Sequence, residues 1–225
     1  MSIIGQLNEQ PLHAALKAFY TQPTGQTEVW LDGYLIDVVR GGELIEIQTG
    51  NFSTIKQKLT KLTQHQHQVR LVYPVAVEKW ILKYPQEEGE EFQRRKSPKR
   101  GRPVAVFAEL VSFPKLVLAP NFTLELAMIQ EEEVRRYVDK RRWRRDGWET
   151  VERRLIKVLE RLTFPGPDAF VGLLPPDLPE AFTTADIAAG LAIPKWLAQK
   201  MAYCLREMTA LEVVGKQGRS WLYSL

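Results

Sequence analysis

Two acids and an amide in one short segment could do chemistry. Within residues 35–48 (LIDVVRGGELIEIQ), Asp37 and Glu46 stand on either side of Gly41-Gly42, and Gln48 follows two residues after Glu46. A two-residue hairpin turn at the glycines pairs Arg40 with Glu43. Pairing then runs outward with a constant index sum of 83, matching 39 with 44, 38 with 45 and 37 with 46. Asp37 and Glu46 are thus expected directly opposite each other, with Cβ atoms about 4.5–5.5 Å apart. Gln48 projects from the same face, and Ile36, Val38, Ile45 and Ile47 from the other, which can pack on a core. Opposed carboxylates repel, and a divalent cation offsets that repulsion. Mg²⁺ takes one or two carboxylates plus waters and substrate phosphate, and can activate water and neutralise charge in phosphodiester hydrolysis. The alternative is a solvated sheet face on which the two acids pair with Arg40 or a lysine.

The elements that would position these residues can be read on both sides. Leu12, Ala15, Leu16 and Phe19 recur at helical spacing over residues 11–20, and Gln22-Pro23-Thr24-Gly25 breaks the pattern. Residues 28–39 are rich in β-branched and aromatic types and turn at Asp32-Gly33; residues 44–48 form a further strand. Ser53 is a candidate N-cap for a helix with Ile55, Leu59 and Leu62 on its apolar face. Residues 69–77 read as a buried strand and 79–83 as an edge strand. The order is helix, three-stranded meander, helix, strand, an α+β unit.

That order, with Asp37, eight intervening residues and then Glu46-Ile47-Gln48, resembles the PD-(D/E)XK nuclease superfamily over about residues 8–83. The resemblance implies a restriction-endonuclease-like α-β-β-β-α-β core. It also implies metal ligation by Asp37 and Glu46, with Mg²⁺ or Mn²⁺ as cofactor, and a water-positioning role for Gln48. Gln48 takes the place usually held by lysine. An amide can orient water but brings no charge and no titratable proton. The family also accepts a lysine from the following helix, where Lys56 or Lys58 could serve, with Lys56 expected to supply transition-state charge. Glu9 loosely matches an acid that some members contribute ahead of the first helix, and otherwise reads as an exposed acid of the capping region.

Other candidates are weaker. His65-Gln66-His67 ends a helix with no third ligand nearby in sequence, so it reads as solvated. His13 could reach the site from the first helix or simply pack. Cys204 lies on an apolar helix with no catalytic partner in sequence and reads as core.

Charge is concentrated in the middle of the chain. Residues 1–93 carry 8 Lys/Arg against 11 Asp/Glu, residues 94–161 carry 18 against 10, and residues 162–225 carry 5 against 6. A basic block between nearly neutral flanks fits a polyanion contact or a solvated, charge-laced surface. Lys99-Arg100-Gly101-Arg102-Pro103 resembles the core of an AT-hook, which would place Arg100 and Arg102 in a minor groove; the alternative is a loop in which Pro103 starts a helix. Arg141, Arg142, Arg144 and Arg145, interleaved with Trp143, form a second cationic stretch or an exposed hinge. Helix is expected over 104–118 and over about 150–162.

Residues 182–225 resemble a winged helix-turn-helix: a capped helix, a turn at Ala192-Ile193-Pro194, a longer second helix and a ribbon turning at 215–218. In DNA-binding members the second helix enters the major groove from its N-terminal end, where Lys195, Gln199 and Lys200 stand, with Lys216 and Arg219 on the wing.

The expected organisation is therefore a nuclease-like core at 1–93, a basic loop and helical connector at 94–148, and a winged-helix domain at 149–225. One cysteine excludes a disulfide framework and a zinc ribbon. No secretory signal or apolar span is visible, so the expected location is cytoplasmic with no membrane partner. The expected function is metal-dependent hydrolysis of phosphodiester bonds in DNA, double-stranded DNA in the first instance. A nuclease fold without chemistry, serving as a DNA-binding or regulatory platform, is the alternative, and assembly as a homodimer stays open.

Overall fold

The computed structural model describes residues 10–85, 91–138 and 147–225. Glu9, the acids at 87–90 and the arginines at 141–145 lie outside them. The chain is mixed α+β, built around one seven-stranded sheet. Helix α1 (Pro11–Thr21) leads into the meander β1 (Gln26–Leu31), β2 (Tyr34–Arg40) and β3 (Glu43–Ile47); α2 (Lys56–Gln64) then crosses over to β4 (Gln68–Lys83). The sheet order is β1-β2-β3-β4-β6-β7, with β6 (Phe122–Tyr137) and β7 (Trp148–Phe164); β5 (Gln93–Lys96) pairs with the far half of β4. β3, β4 and β6 run parallel, and the other pairs are antiparallel.

The glycine turn behaves as its residues require. Gly41 and Gly42 sit at φ 60° and 83°, the left-handed pair of a type I′ turn that matches strand twist. The pairs 40/43, 39/44 and 38/45 follow in the expected register. The alternation beyond them does not hold. Val38, Ile45 and Ile47 join the core beneath α1, with Leu12, Leu16 and Tyr20, whereas Ile36 joins the core beneath α2, with Leu59 and Leu62. Residues two apart on a regular strand share a face, so β2 turns over between them. Asp37 is the residue at the turnover. Its β1 counterpart Glu28 has φ 58°, and the 28/37 pair is missing from a ladder that is otherwise in register on both sides. This local disruption re-aims one side chain, as a bulge does.

The N-cap of helix α2 is Ile55, two residues later than the expected Ser53. Ser53 lies inside a 3₁₀ turn (Phe52–Thr54), and Ile55 precedes the first helical residue. Residues 79–83 are not a separate edge strand but the continuation of β4.

The larger correction concerns residues 94–164. Residues 104–118 form only short helical turns, including α3 (Phe107–Leu110). The following residues add strands β6 and β7 to the same sheet, so 94–148 is not a helical connector, and 150–162 is strand rather than helix. Glu, Arg and Leu favour helix by intrinsic propensity. Tertiary pairing overrides it: Glu132 and Glu133 lie opposite Arg154 and Arg153 in the antiparallel β6–β7 ladder, and such cross-strand pairs stabilise a sheet.

Past α4 (Pro167–Val171) come α5 (Thr184–Leu191), α6 (Lys195–Glu207) and the ribbon β8 (Glu212–Gln217) and β9 (Ser220–Ser224). Thr183 and Asp186 close a capping box on α5, and Phe182 bridges to Tyr223 on the ribbon. The module is continuous with the sheet's core: Leu197, Met201 and Cys204 belong to the cluster that holds Leu59 and Phe107. Burial pushes the Cys204 thiol up to about 12, in keeping with a core residue. Among the described residues, no helix is long and apolar enough to cross a membrane.

Candidate active site

The turnover in β2 decides where the first carboxylate goes. Asp37 Oδ2 accepts the Ile47 backbone N–H at 2.8 Å, standing in for a ladder acceptor where β2 and β3 part. His13, from α1, lies against the same oxygen at 3.2 Å and against the Ile47 carbonyl at 3.0 Å. Both oxygens are acceptors, so His13 Nε2 carries the hydrogen. Burial acts to raise the Asp37 pKa, but His13, the Ile47 N–H and the charge of Lys58 together hold it below the ordinary value. Asp37 is therefore the ionised acid of the pair.

Glu46 has the opposite character. It is 4% exposed, and burial, with the neighbouring Asp37 charge adding to it, pushes its pKa up to about 7 against the pull of Lys58. The Lys58 ammonium reaches it from α2 at 2.5 Å as an ion pair, and also donates to the Leu35 carbonyl. The lysine thus spans from α2 to both strands of the hairpin. Two nearby carboxylates whose environments push their pKa values apart are a pattern found at catalytic sites.

The expected residues are not all assembled. Asp37 and Glu46 come together. Gln48 accompanies them in the chain, but its amide nitrogen donates to the carbonyls of Gly50 and Asn51 and to Thr54 Oγ1. Lys56 is exposed, and Lys58 is the helix lysine at the site. The signal favouring Lys58 was present: it stands one helical turn from both Ile55 and Leu62, on the flank of the buried face. His13 stands at Asp37 rather than merely packing.

The donor set suits a hard cation. Asp37 Oδ2 and the Ile47 carbonyl share the His13 N–H, and the Glu46 carboxylate lies close enough to Asp37 to feel its charge. Oxygen ligands with a carboxylate or two are what Mg²⁺ and Mn²⁺ take.

Beside this site β4 has a bare stretch of edge. β3 covers it as far as Val72, and β5 resumes only at Trp80. Residues 97–101 cover the interval: the Ser97 N–H donates to Lys79 and the Gly101 N–H to Ala76 at 2.7 Å. A cavity of about 310 Å³ opens there, lined by Thr49, Lys79, Lys99, Arg100, Glu131 and Arg153 among others. A Cβ on Gly101 would meet the Ala76 carbonyl oxygen at 2.7 Å, so glycine is needed for close approach to the strand. The segment Lys99–Pro103 is a docked loop rather than a free hook, and Pro103 starts a 3₁₀ turn.

Residues 10–165 match the family described as "Domain of unknown function (DUF8091)", a span that runs from α1 through β7 and holds the whole carboxylate site. The chain belongs to the DUF8091 family. A protein of Treponema pallidum (strain Nichols), described as "Uncharacterized protein", is 32% identical over 186 residues, covering 82% of this chain and 73% of its own length. No solved structure matches the chain.

The DUF8091 match ends before α4, so the C-terminal candidates lie beyond it. Lys195 and Gln199 on α6 are exposed, as are Lys216 and Arg219 on the ribbon. Lys200 is not free in the same sense, since its ammonium donates to the Ala108 carbonyl at 2.9 Å. Arg102 is likewise engaged with the Leu191 carbonyl at the end of α5. Arg100 remains 62% exposed, with Glu78 at 3.7 Å.

Proposed function

We propose that this protein is a Mg²⁺- or Mn²⁺-dependent DNA endonuclease of the PD-(D/E)XK type, with its C-terminal module acting as a winged helix. One observation carries the reading. A hairpin brings an ionised aspartate and a buried glutamate together where its strands part, and a lysine from the next helix closes on the glutamate. The α-β-β-β-α-β order with β3 and β4 parallel and the cationic cavity next to Thr49 are consistent with it.

Asp37, Glu46 and the Ile47 carbonyl would hold the metal, which when bound supplies Lewis acidity to the phosphate and lowers the pKa of a coordinated water. The chain's own residues do the rest. Asp37 stays ionised, and His13 and the Ile47 N–H fix its orientation. Glu46 is buried against Lys58, whose ammonium would balance its charge as a ligand. Lys58 brings positive charge to Glu46 from α2 and is the group available to stabilise a phosphorane-like state. Lys99 and Arg100, on the docked loop, can hold a flanking phosphate.

A second reading has an observation of its own. Gln48 donates its amide into the Gly50–Thr54 turn, which suits a nuclease fold kept as a DNA-holding or regulatory platform. The deciding experiment is cleavage of plasmid and single-stranded DNA with Mg²⁺ or Mn²⁺, comparing wild type with Asp37→Ala. Metal-dependent cleavage that vanishes in the variant supports the nuclease. Salt-sensitive DNA binding without cleavage, unchanged by the substitution, supports the platform and refutes the nuclease.

A further inference from the structure

Asp32, His65 and His67 lie away from the carboxylate site and have no part in the reading above. Asp32 occupies the tip of the β1–β2 hairpin, at φ 50° with Gly33 at φ 79°. His65 is the residue that ends α2, and His67 immediately precedes β4. His65 Nδ1 and His67 Nε2 both approach the same oxygen, Asp32 Oδ2, at 2.8 and 2.7 Å. The three donor atoms lie within 4.8 Å of one another. Sequence spacing alone hides this group, because the third member comes from 33 residues upstream of His65.

The loop that presents the imidazoles is held in place. The buried Asn121 side chain donates to the carbonyls of Thr63 and His67 at 2.9 and 2.7 Å. The backbone N–H groups of His65, Gln66 and His67 all return to the last turn of α2. Gln66, at φ 64°, reverses the chain between the two histidines so that both rings face Asp32. The group is thus carried by two short turns, one pinned by helix and Asn121, the other a tight hairpin.

We propose that Asp32, His65 and His67 form a binding site for a divalent transition ion of the zinc class, which fastens the hairpin tip to the α2–β4 turn. Two imidazoles and one carboxylate are the donor types such ions prefer, whereas Mg²⁺ and Ca²⁺ prefer oxygen alone. A tetrahedral ion with bonds of about 2.0–2.1 Å separates its ligand atoms by roughly 3.3–3.5 Å. The histidine nitrogens, at 2.8 and 2.7 Å from Asp32 Oδ2, therefore need to retreat by roughly 0.5–0.8 Å. Three protein ligands leave one position for water, on a face where His65 is 55% exposed and the ion can enter. The two elements joined also carry Asp37, on β2, and Lys58, on α2. The ion would hold the frame of the carboxylate site without touching it.

The test is titration of the full chain with Zn²⁺ against a chromophoric chelator, in wild type, His65→Ala, His67→Ala, Asp32→Asn and Asp37→Ala. One equivalent is expected to bind in wild type and in Asp37→Ala. Affinity should fall by at least about 10-fold in each of the other three. Asp32→Asn is chosen because asparagine tolerates the left-handed backbone, and near-UV circular dichroism checks that each variant is folded. Co²⁺ gives a second readout, a visible absorption band in wild type that disappears in His67→Ala. Absence of binding with zinc in large excess would overturn the proposal. So would binding that survives all three ligand substitutions, or binding that is lost in Asp37→Ala and kept in His67→Ala.

Discussion

Lys58 Nζ lies 2.5 Å from Glu46 Oε1, yet the glutamate's pKa is still raised to about 7 from an ordinary 4.5. Burial outweighs a direct cationic partner because the carboxylate is almost wholly removed from water and Asp37 adds a second negative charge. The folded chain then keeps a proton that the unfolded chain releases between those two pH values. Stability contributed by protonated Glu46 is therefore fully present below about pH 4.5 and is lost as pH rises through about 7, by at most about 3 kcal/mol. Glu46→Gln keeps the shape and cannot ionise. Urea denaturation of wild type and Glu46→Gln across this window should show the variant gaining on wild type as pH rises. Parallel curves would mean that Glu46 is ionised throughout.

Asp37, Lys58 and Lys56 separate by role. Asp37→Ala removes an ionised oxygen from the proposed metal site and should lower metal-dependent cleavage by more than about 100-fold. Lys58→Met should lower turnover with little change in DNA binding, since its charge faces Glu46 rather than the surface. Lys56→Met, at an exposed position, should leave cleavage within about twofold of wild type, a change below roughly 0.5 kcal/mol. Cleavage kinetics at saturating Mg²⁺ measure all three, and equal losses at Lys56 and Lys58 would contradict this assignment.

The hairpin was legible because a two-glycine turn fixes register and register fixes which residues face each other. The 37/46 pair itself is absent from the ladder; only the nearness of Asp37 and Glu46 follows from that arithmetic. The half-turn of β2 between Ile36 and Val38 does not, since it depends on Glu28 of the neighbouring strand leaving the ladder. Strands β6 and β7 were hidden for a different reason. Their glutamates and arginines read as helix formers, and only pairing across strands gives Glu131 its two cations, Lys79 and Arg153. The C-terminal module was readable from local signals, above all the capping box at Thr183 and Asp186. The Asp32, His65 and His67 group lay beyond reach because its members meet only when the hairpin tip and the end of α2 are placed in space.

A buried ionic group beneath α1 sets a stability prediction. Glu125 on β6 is 1% exposed and is met by the Tyr20 hydroxyl and by Arg70, which also bonds Glu43. Removing the cation strands a buried carboxylate, so Arg70→Met should cost about 3–5 kcal/mol. Replacing both ends, in Arg70→Met/Glu125→Leu, should restore part of that loss, because no charge is then left unpaired. Chemical denaturation of the single and double variants measures the difference. A double variant less stable than Arg70→Met alone would show that the group stabilises through packing instead of charge.

The last prediction concerns which cations meet nucleic acid. Each phosphate neutralised by a protein cation releases counterions, so the slope of log affinity against log salt counts the contacts, at about 0.9 per phosphate of duplex DNA. Lys99 and Arg100 line the cavity beside Thr49 on a loop fixed by Gly101, so Lys99→Ala and Arg100→Ala should each reduce the slope by about 1. Lys200→Ala and Arg102→Ala remove side chains already committed to the carbonyls of Ala108 and Leu191. Those variants should lose stability, by about 1 kcal/mol each, with the salt slope unchanged. Filter binding over a salt series, paired with thermal denaturation of the same four variants, distinguishes the two pairs. If Lys200→Ala and Arg102→Ala lower the slope while Lys99→Ala and Arg100→Ala do not, the duplex lies along the C-terminal module and not across the edge of β4.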